Sequence, residues 1–281
     1  MIPGLSAVLP SQDRPASWYP TRTSGSVLAG ALALLALTGC SLFFPDTPAP
    51  IPTQASPVSA AGRTSTLVVF MPGRGDTLTD FEREGMVATL REAGVQADTI
   101  VVGAHMGYYI KQTVVERLRT DVLLPARQQS YRRIVLVGTS LGGLGAVLTE
   151  RDHPGSVDAL VLIAPYLGEK KKLFDGISAA GGPEAWARGR DPLAGPVEEQ
   201  IWTFLGTKAS RLPPTWLLSG TEDPYARGHR LFATLLPAAR TTTIPGAHEW
   251  PVWRALWREV CFHSEVFAAE RVAPRAPEAQ R

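Results

Sequence analysis

From Thr66 onward, short runs that are apolar throughout alternate with longer amphipathic ones. "TLVVF" (66–70), "ADTIVVG" (97–103), "RIVLVG" (133–138), "DALVLIAP" (158–165) and "PTWLLSG" (214–220) are of the first kind. A strand with one wet face alternates polar and apolar side chains, so a run with no polar face is buried on both sides. Between these runs, "LTDFEREGMVATLREAG" (78–94) spaces Phe81, Met86, Val87 and Leu90 for a helix that stops at Gly94. "IKQTVVERLRTDVLLPARQQ" (110–129) reads as helical with a bend or break near Pro125. "LGGLGAVLTERD" (141–152), "YARGHRLFATLL" (225–236) and the segment after Trp250 read as further helices. Strand–helix alternation of this kind predicts an α/β architecture, a mostly parallel sheet flanked by helices. A chain of 281 residues, 44% hydrophobic, has the material for one large core. Its net charge of +2, with no basic stripe, excludes nucleic acid as an expected partner.

One stretch breaks the rhythm. Residues 166–213 separate two strands by far more than a usual crossover. Trp186, Ile201, Trp202, Phe204 and Leu205 predict that this insertion is ordered and forms a small cap over the carboxyl edge of the sheet.

The N-terminal region has a different character. "SVLAGALALLALTGC" (26–40) follows Arg14 and Arg22, is too short for a comfortable membrane span, and has the length and small-residue end of an export signal. Its last four residues, Leu37-Thr38-Gly39-Cys40, resemble the lipobox of bacterial lipoprotein precursors. That resemblance implies a signal peptide over 1–39, a lipid on Cys40, and a protein held on the membrane of the bacterial cell envelope, facing the periplasm. Several acyl chains anchor firmly where one gives marginal binding. Residues 40–63, rich in Pro, Ser and Ala, read as a tether to a domain over 64–270, and 271–281 as a disordered tail. With Cys40 acylated, Cys261 is the remaining thiol and no disulfide forms within the chain.

The candidate chemistry begins at "VGTSLGG" (137–143). Gly138-Thr139-Ser140-Leu141-Gly142 fits G-x-S-x-G, after a predicted strand and before a predicted helix. Such a turn needs minimal neighbours so that a serine can stand at its tip beside helix N-terminal amides. A glycine-rich turn capped by Ser140 would satisfy the same pattern without chemistry. A serine hydroxyl needs a base, and the base an orienting carboxylate. His248, in "IPGAHEWP" after the run "TTTI", and Asp223, in "SGTEDPY" beside Glu222, each follow a predicted strand. An acid before Pro224 could equally start a turn.

Taken together, "GTSLGG", "GTEDP" and "GAHEW", in the order Ser, Asp, His over about Thr66 to Ala269, resemble the α/β-hydrolase family. The resemblance implies that fold, catalysis by Ser140, Asp223 and His248, and hydrolysis of a small-molecule ester through an acyl-enzyme with no metal or organic cofactor. It also implies an oxyanion hole from the backbone amides of Leu141 and, in "MPGRGD" (71–76), Arg74, where many members carry His-Gly instead of Pro72-Gly73. The same residues would suit an acyltransferase, and an inactive fold serving as a binding module is the alternative of another class. Arg74-Gly75-Asp76 also spells an adhesion tripeptide, which is too short to weigh. His105 and Met106 could line a pocket or be structural; His153, His229 and His263, in or beside helices, receive no chemical role. Oligomeric state is not legible.

Overall fold

The computed structural model describes residues 46–58 and 64–272. Cys40, the export segment and residues 273–281 lie outside the described residues. Among the described residues, β1 (Thr53–Ser56), β2 (Thr66–Met71), β3 (Asp98–Val102), β4 (Arg133–Thr139), β5 (Ala159–Ile163), β6 (Thr215–Gly220) and β7 (Thr241–Ile244) form one sheet in the order β1-β3-β2-β4-β5-β6-β7. All neighbours pair in parallel except β1, which runs antiparallel to β3. The helices are α1 (Asp80–Arg83), α2 (Met86–Glu92), α3 (Met106–Ile110), α4 (Val114–Leu118), α5 (Leu124–Gln128), α6 (Leu141–Asp152), α7 (Lys171–Ala179), α8 (Pro183–Ala187), α9 (Val197–Lys208), α10 (Ala226–Ala233) and α11 (Trp250–His263).

The apolar strands have the two buried faces their sequences predict. Along β2, Leu67, Val69 and Met71 join one apolar cluster with Leu118, Leu144 and Phe232. Val68 and Phe70 face the opposite cluster, with Phe81, Leu90 and Trp257. The Trp257 ring meets Phe70 edge-on at 5.6 Å between centroids. Each such fully buried aliphatic or aromatic side chain stabilises the fold by roughly 1.5–3 kcal/mol relative to exposure.

Four local expectations differ from what is observed. Residues 78–94 form two short helices, because Gly85 takes a φ of 74° and breaks the run between α1 and α2. Pro125 does not break its helix; a π-helical turn, Arg119–Leu123, joins α4 to α5. Proline lacks the N–H and crowds the carbonyl four residues back, and a wider turn relieves both. Part of the expected tether is in the sheet: β1 pairs with β3, Ile51 is buried, and its N–H donates to Asp121 at 2.8 Å. The folded unit therefore extends N-terminal to residue 64. At the other end, Arg271 bridges to Val95 and the Val272 N–H donates to the Gly94 carbonyl, so these two residues are part of the fold.

The insertion over 166–213 carries α7, α8 and α9. Phe174, Ile177, Trp186 and Trp202 are buried in the same cluster as β4 and α6. The Trp202 Nε1–H donates to the Leu167 carbonyl at 2.7 Å, and Phe174 meets its ring edge-on at 5.8 Å. Among the described residues, no helix is long and apolar enough to cross a membrane. Cys261 is a free, buried thiol on α11, and burial pushes its pKa up, away from the reactive thiolate.

Candidate active site

From β2 the chain builds the sheet first toward β3 and then, from β4, in the other direction. At such a switch point the loops leaving adjacent strands part and open a crevice at the carboxyl edge. The loops after β2 and β4 flank that crevice, and Ser140 sits at the tip of the second.

Ser140 joins β4 directly to α6 with φ 49° and ψ −112°. A residue with a side chain held at positive φ costs on the order of 1–3 kcal/mol, so the surroundings must hold it there. They do so through its backbone. The Ser140 N–H donates to the Ile163 carbonyl at 2.9 Å, and its carbonyl accepts from the Tyr166 and Gly143 amides at 2.9 and 3.0 Å. The flanking glycines allow the close packing. A Cβ on Gly138 would run into the Gly142 carbonyl, and one on Gly142 into the Met71 carbonyl.

Asp223 and His248 arrive from the next strands. Gly220 at the end of β6 pairs with Ile244 at the end of β7, and the Glu222 N–H donates to the Gly246 carbonyl at 3.0 Å. The two loops are thus tied side by side. His248 Nδ1 lies 2.7 Å from Asp223 Oδ2, and His248 Nε2 lies 2.8 Å from Ser140 Oγ. A carboxylate only accepts, so Nδ1 carries the proton and Nε2 presents its lone pair to the serine hydroxyl. The Asp223 side chain is 0% exposed and its second oxygen accepts the Tyr225 N–H at 2.8 Å, which leaves the carboxylate one orientation. The imidazole stands edge-on between Tyr225 and Trp253, at 5.1 and 4.9 Å between centroids. An imidazole so placed can accept the Ser140 proton, and the buried carboxylate opposite can stabilise the resulting charge.

In the loop after β2, the Gly73 N–H donates to Asp76 Oδ2 at 2.9 Å. The next amide, that of Arg74, donates to no partner among the described residues. Burial pushes the Asp76 carboxyl up against the lowering effect of the Gly73 amide. Leu141 opens α6, so its N–H has no carbonyl a turn earlier within the helix. Arg74, Ser140 and Leu141 line one cavity of about 360 Å³, together with Met106, Tyr109 and Leu144 and with Tyr166, Glu169 and Tyr225. The Tyr166 hydroxyl donates to Glu198 on α9 at 2.9 Å; burial, then this bond, push its pKa up.

Of the two residues singled out after β3, Met106 lines the cavity. His105 instead caps α3: its Nδ1 accepts the Gly107 N–H, and its Nε2 donates to the Asp46 carbonyl, both at 3.1 Å. His229 has more to do with the site than its helical position suggested. It is 2% exposed, its Nε2–H donates to the Pro165 carbonyl at 2.9 Å, and Nδ1 has no partner. Pro165 directly precedes the Tyr166 amide that holds Ser140. The Gly73–Asp76 bond and the rings of Tyr225 and Trp253 were likewise not anticipated. Only the spacing of Asp76 three residues after Gly73 carried a local turn signal.

The fold seen here recurs in solved structures. A Staphylococcus aureus protein shares 11% identity, covering 87% of this chain and 94% of its own, with a TM-score of 0.53. A hyperthermophilic esterase of the archaeon Pyrobaculum calidifontis shares 16%, covering 75% and 79%, at 0.52. An alpha/beta hydrolase enzyme from the metagenome of Lake Arreo, Spain, shares 16%, covering 86% and 88%, at 0.51. No family model matches the sequence, and no curated protein matches it. The chain has the α/β-hydrolase fold, with an antiparallel first strand and an insertion after β5.

Proposed function

We propose that the protein is a serine hydrolase that cleaves carboxylic esters through an acyl-enzyme. The observation that carries this reading is the unbroken run from Asp223 Oδ2 through the His248 ring to Ser140 Oγ, at 2.7 and 2.8 Å, opening on a cavity. His248 takes the Ser140 proton as Oγ attacks the acyl carbon, and Asp223 stabilises the imidazolium. The Leu141 and Arg74 amides receive the oxyanion; each such donor typically contributes about 2.7–4 kcal/mol to the transition state. His248 then gives its proton to the leaving alcohol. Water, deprotonated by the same imidazole, releases the acid and restores Ser140. Esterase and α/β-hydrolase neighbours at 16% identity support this reading.

The test is Ser140→Ala on p-nitrophenyl butanoate, with thermal unfolding as the folding control. Turnover is expected to fall by at least about 10⁴-fold, and a folded variant with wild-type turnover overturns the assignment. We further propose that the enzyme is held at the bacterial envelope by lipid on Cys40, supported by the export segment and Leu37-Thr38-Gly39-Cys40. Labelled fatty acid should enter the wild-type chain in cells and not Cys40→Ser; equal labelling of both refutes the anchor.

A further inference from the structure

Helix α6 carries an apolar stripe away from the nucleophile. Leu141, Leu144 and Leu148 recur at three- and four-residue spacing and share one face of the helix. They span roughly 10 Å at 1.5 Å per residue. Leu141 and Leu144 line the cavity that holds Ser140. Leu144 and Leu148 line a second cavity of about 450 Å³. Tyr109, from α3, borders both, so Tyr109 and Leu144 form the wall between them. Tyr109 is socketed against α6: a Cβ on Gly145 would lie 2.5 Å from its hydroxyl. That hydroxyl is sealed from solvent and has no hydrogen-bond partner. At the rim of the first cavity, Ile110 is left 51% exposed.

The far end of the second cavity is polar. Arg151 donates to Asp152 and, at 3.0 Å, to the Gln200 amide oxygen there. A hydrocarbon end pushed that far would displace solvent from paired charges rather than bury itself. The two flanks of Ser140 also differ. The leaving oxygen takes its proton from His248, so the alcohol lies on the imidazole side of Ser140, where Trp253, which does not line the first cavity, packs against the ring. The α6 stripe lines the cavity itself and is left for the acyl group.

We propose that the first cavity is an acyl site for short chains, closed by Tyr109 and Leu144, and that Tyr109 sets the chain length. This rests on the ester-hydrolase reading, and the experiment separates the two. The specificity constant kcat/KM is measured on p-nitrophenyl acetate, butanoate, octanoate and dodecanoate, and on octyl acetate against ethyl octanoate. Wild type is expected to lose at least about tenfold between butanoate and dodecanoate. Tyr109→Ala should raise the dodecanoate-to-butanoate ratio about tenfold, the factor for roughly two more methylenes leaving water. Leu144→Ala opens the same wall from the helix side and should move the ratio in the same direction. Labelling of Ser140 by a fluorophosphonate reports that each variant is folded. The proposal is overturned if wild type cleaves dodecanoate as well as butanoate, or if labelled variants keep the wild-type ratio. It is also overturned if alcohol length, not acyl length, governs the rate. A wild type that cleaves no ester in the panel removes the hydrolase reading itself, a result distinct from a flat chain-length profile.

Discussion

The segments that follow β4 and β5 lie side by side and are built on opposite principles. After β4, one residue separates strand from helix, and the Ser140 geometry is held by backbone amides and carbonyls packed so closely that Gly138 and Gly142 have no room for a Cβ. After β5, the chain makes a long excursion held together by side chains, with Phe174, Trp186 and Trp202 at its centre. The first region admits almost no variation in shape. The second contributes Tyr166 and Glu169 to the cavity that Ser140 lines. The placement of Ser140 is thus carried by backbone, and the insertion by apolar side-chain volume.

That contrast can be broken by finding catalysis in the wrong region. Beyond the Ser140 variant, the largest expected effect is that of Asp223→Asn, which should lower kcat by about 10⁴-fold through the wrong imidazole tautomer. Its unfolding temperature, read by calorimetry, should change far less than its rate. Within the insertion, Trp202→Ala should cost roughly 3–5 kcal/mol of stability in denaturant unfolding, since the ring is fully buried and its N–H is paired. Its kcat at low temperature should stay within a few-fold of wild type; a catalytic loss like that of Asp223→Asn would mean that the insertion shapes the reacting atoms after all.

The smallest effect sharpens the boundary between the regions. His229 holds the Pro165 carbonyl where β5 hands over to the insertion, and burial lowers its pKa below the ordinary value of about 6.5. Above about pH 6.5 the folded and unfolded chains both carry it neutral. As pH falls below that, the unfolded chain binds a proton that the folded one refuses, so stability declines until the folded pKa is reached. His229→Gln keeps a donor for Pro165 and removes this titration. Its unfolding temperature should therefore fall less than that of wild type between about pH 7 and about pH 5. An equal fall in both proteins would show that His229 is not the group responsible.

Much of the fold was legible because local pattern encodes it. Uniformly apolar runs marked β2 to β6, and "TTTI" marked β7 more weakly. The glycines around Ser140 announced a tight strand-to-helix turn. Other features were illegible for physical reasons. β1 reads "TQAS", with burial alternating between exposed and intermediate, because an edge strand against β3 needs no apolar face. The π turn before Pro125 trades one helical geometry for another without changing periodicity enough to read. The wall at Tyr109 depends on Gly145, which in sequence is one more glycine in a run.

By itself the sequence determined which residues end strands and which turns could be tight, since both follow from side-chain size, polarity and period over a few neighbouring residues. Only the tertiary structure decided that Ser140, Asp223 and His248 come within hydrogen-bonding distance across separations of 108 and 25 residues, and that α6 faces α3 across a divided cavity. Those meetings depend on strand order and on which face each helix covers. Such choices are made by the summed burial of two whole cores, and no short stretch of chain contains them.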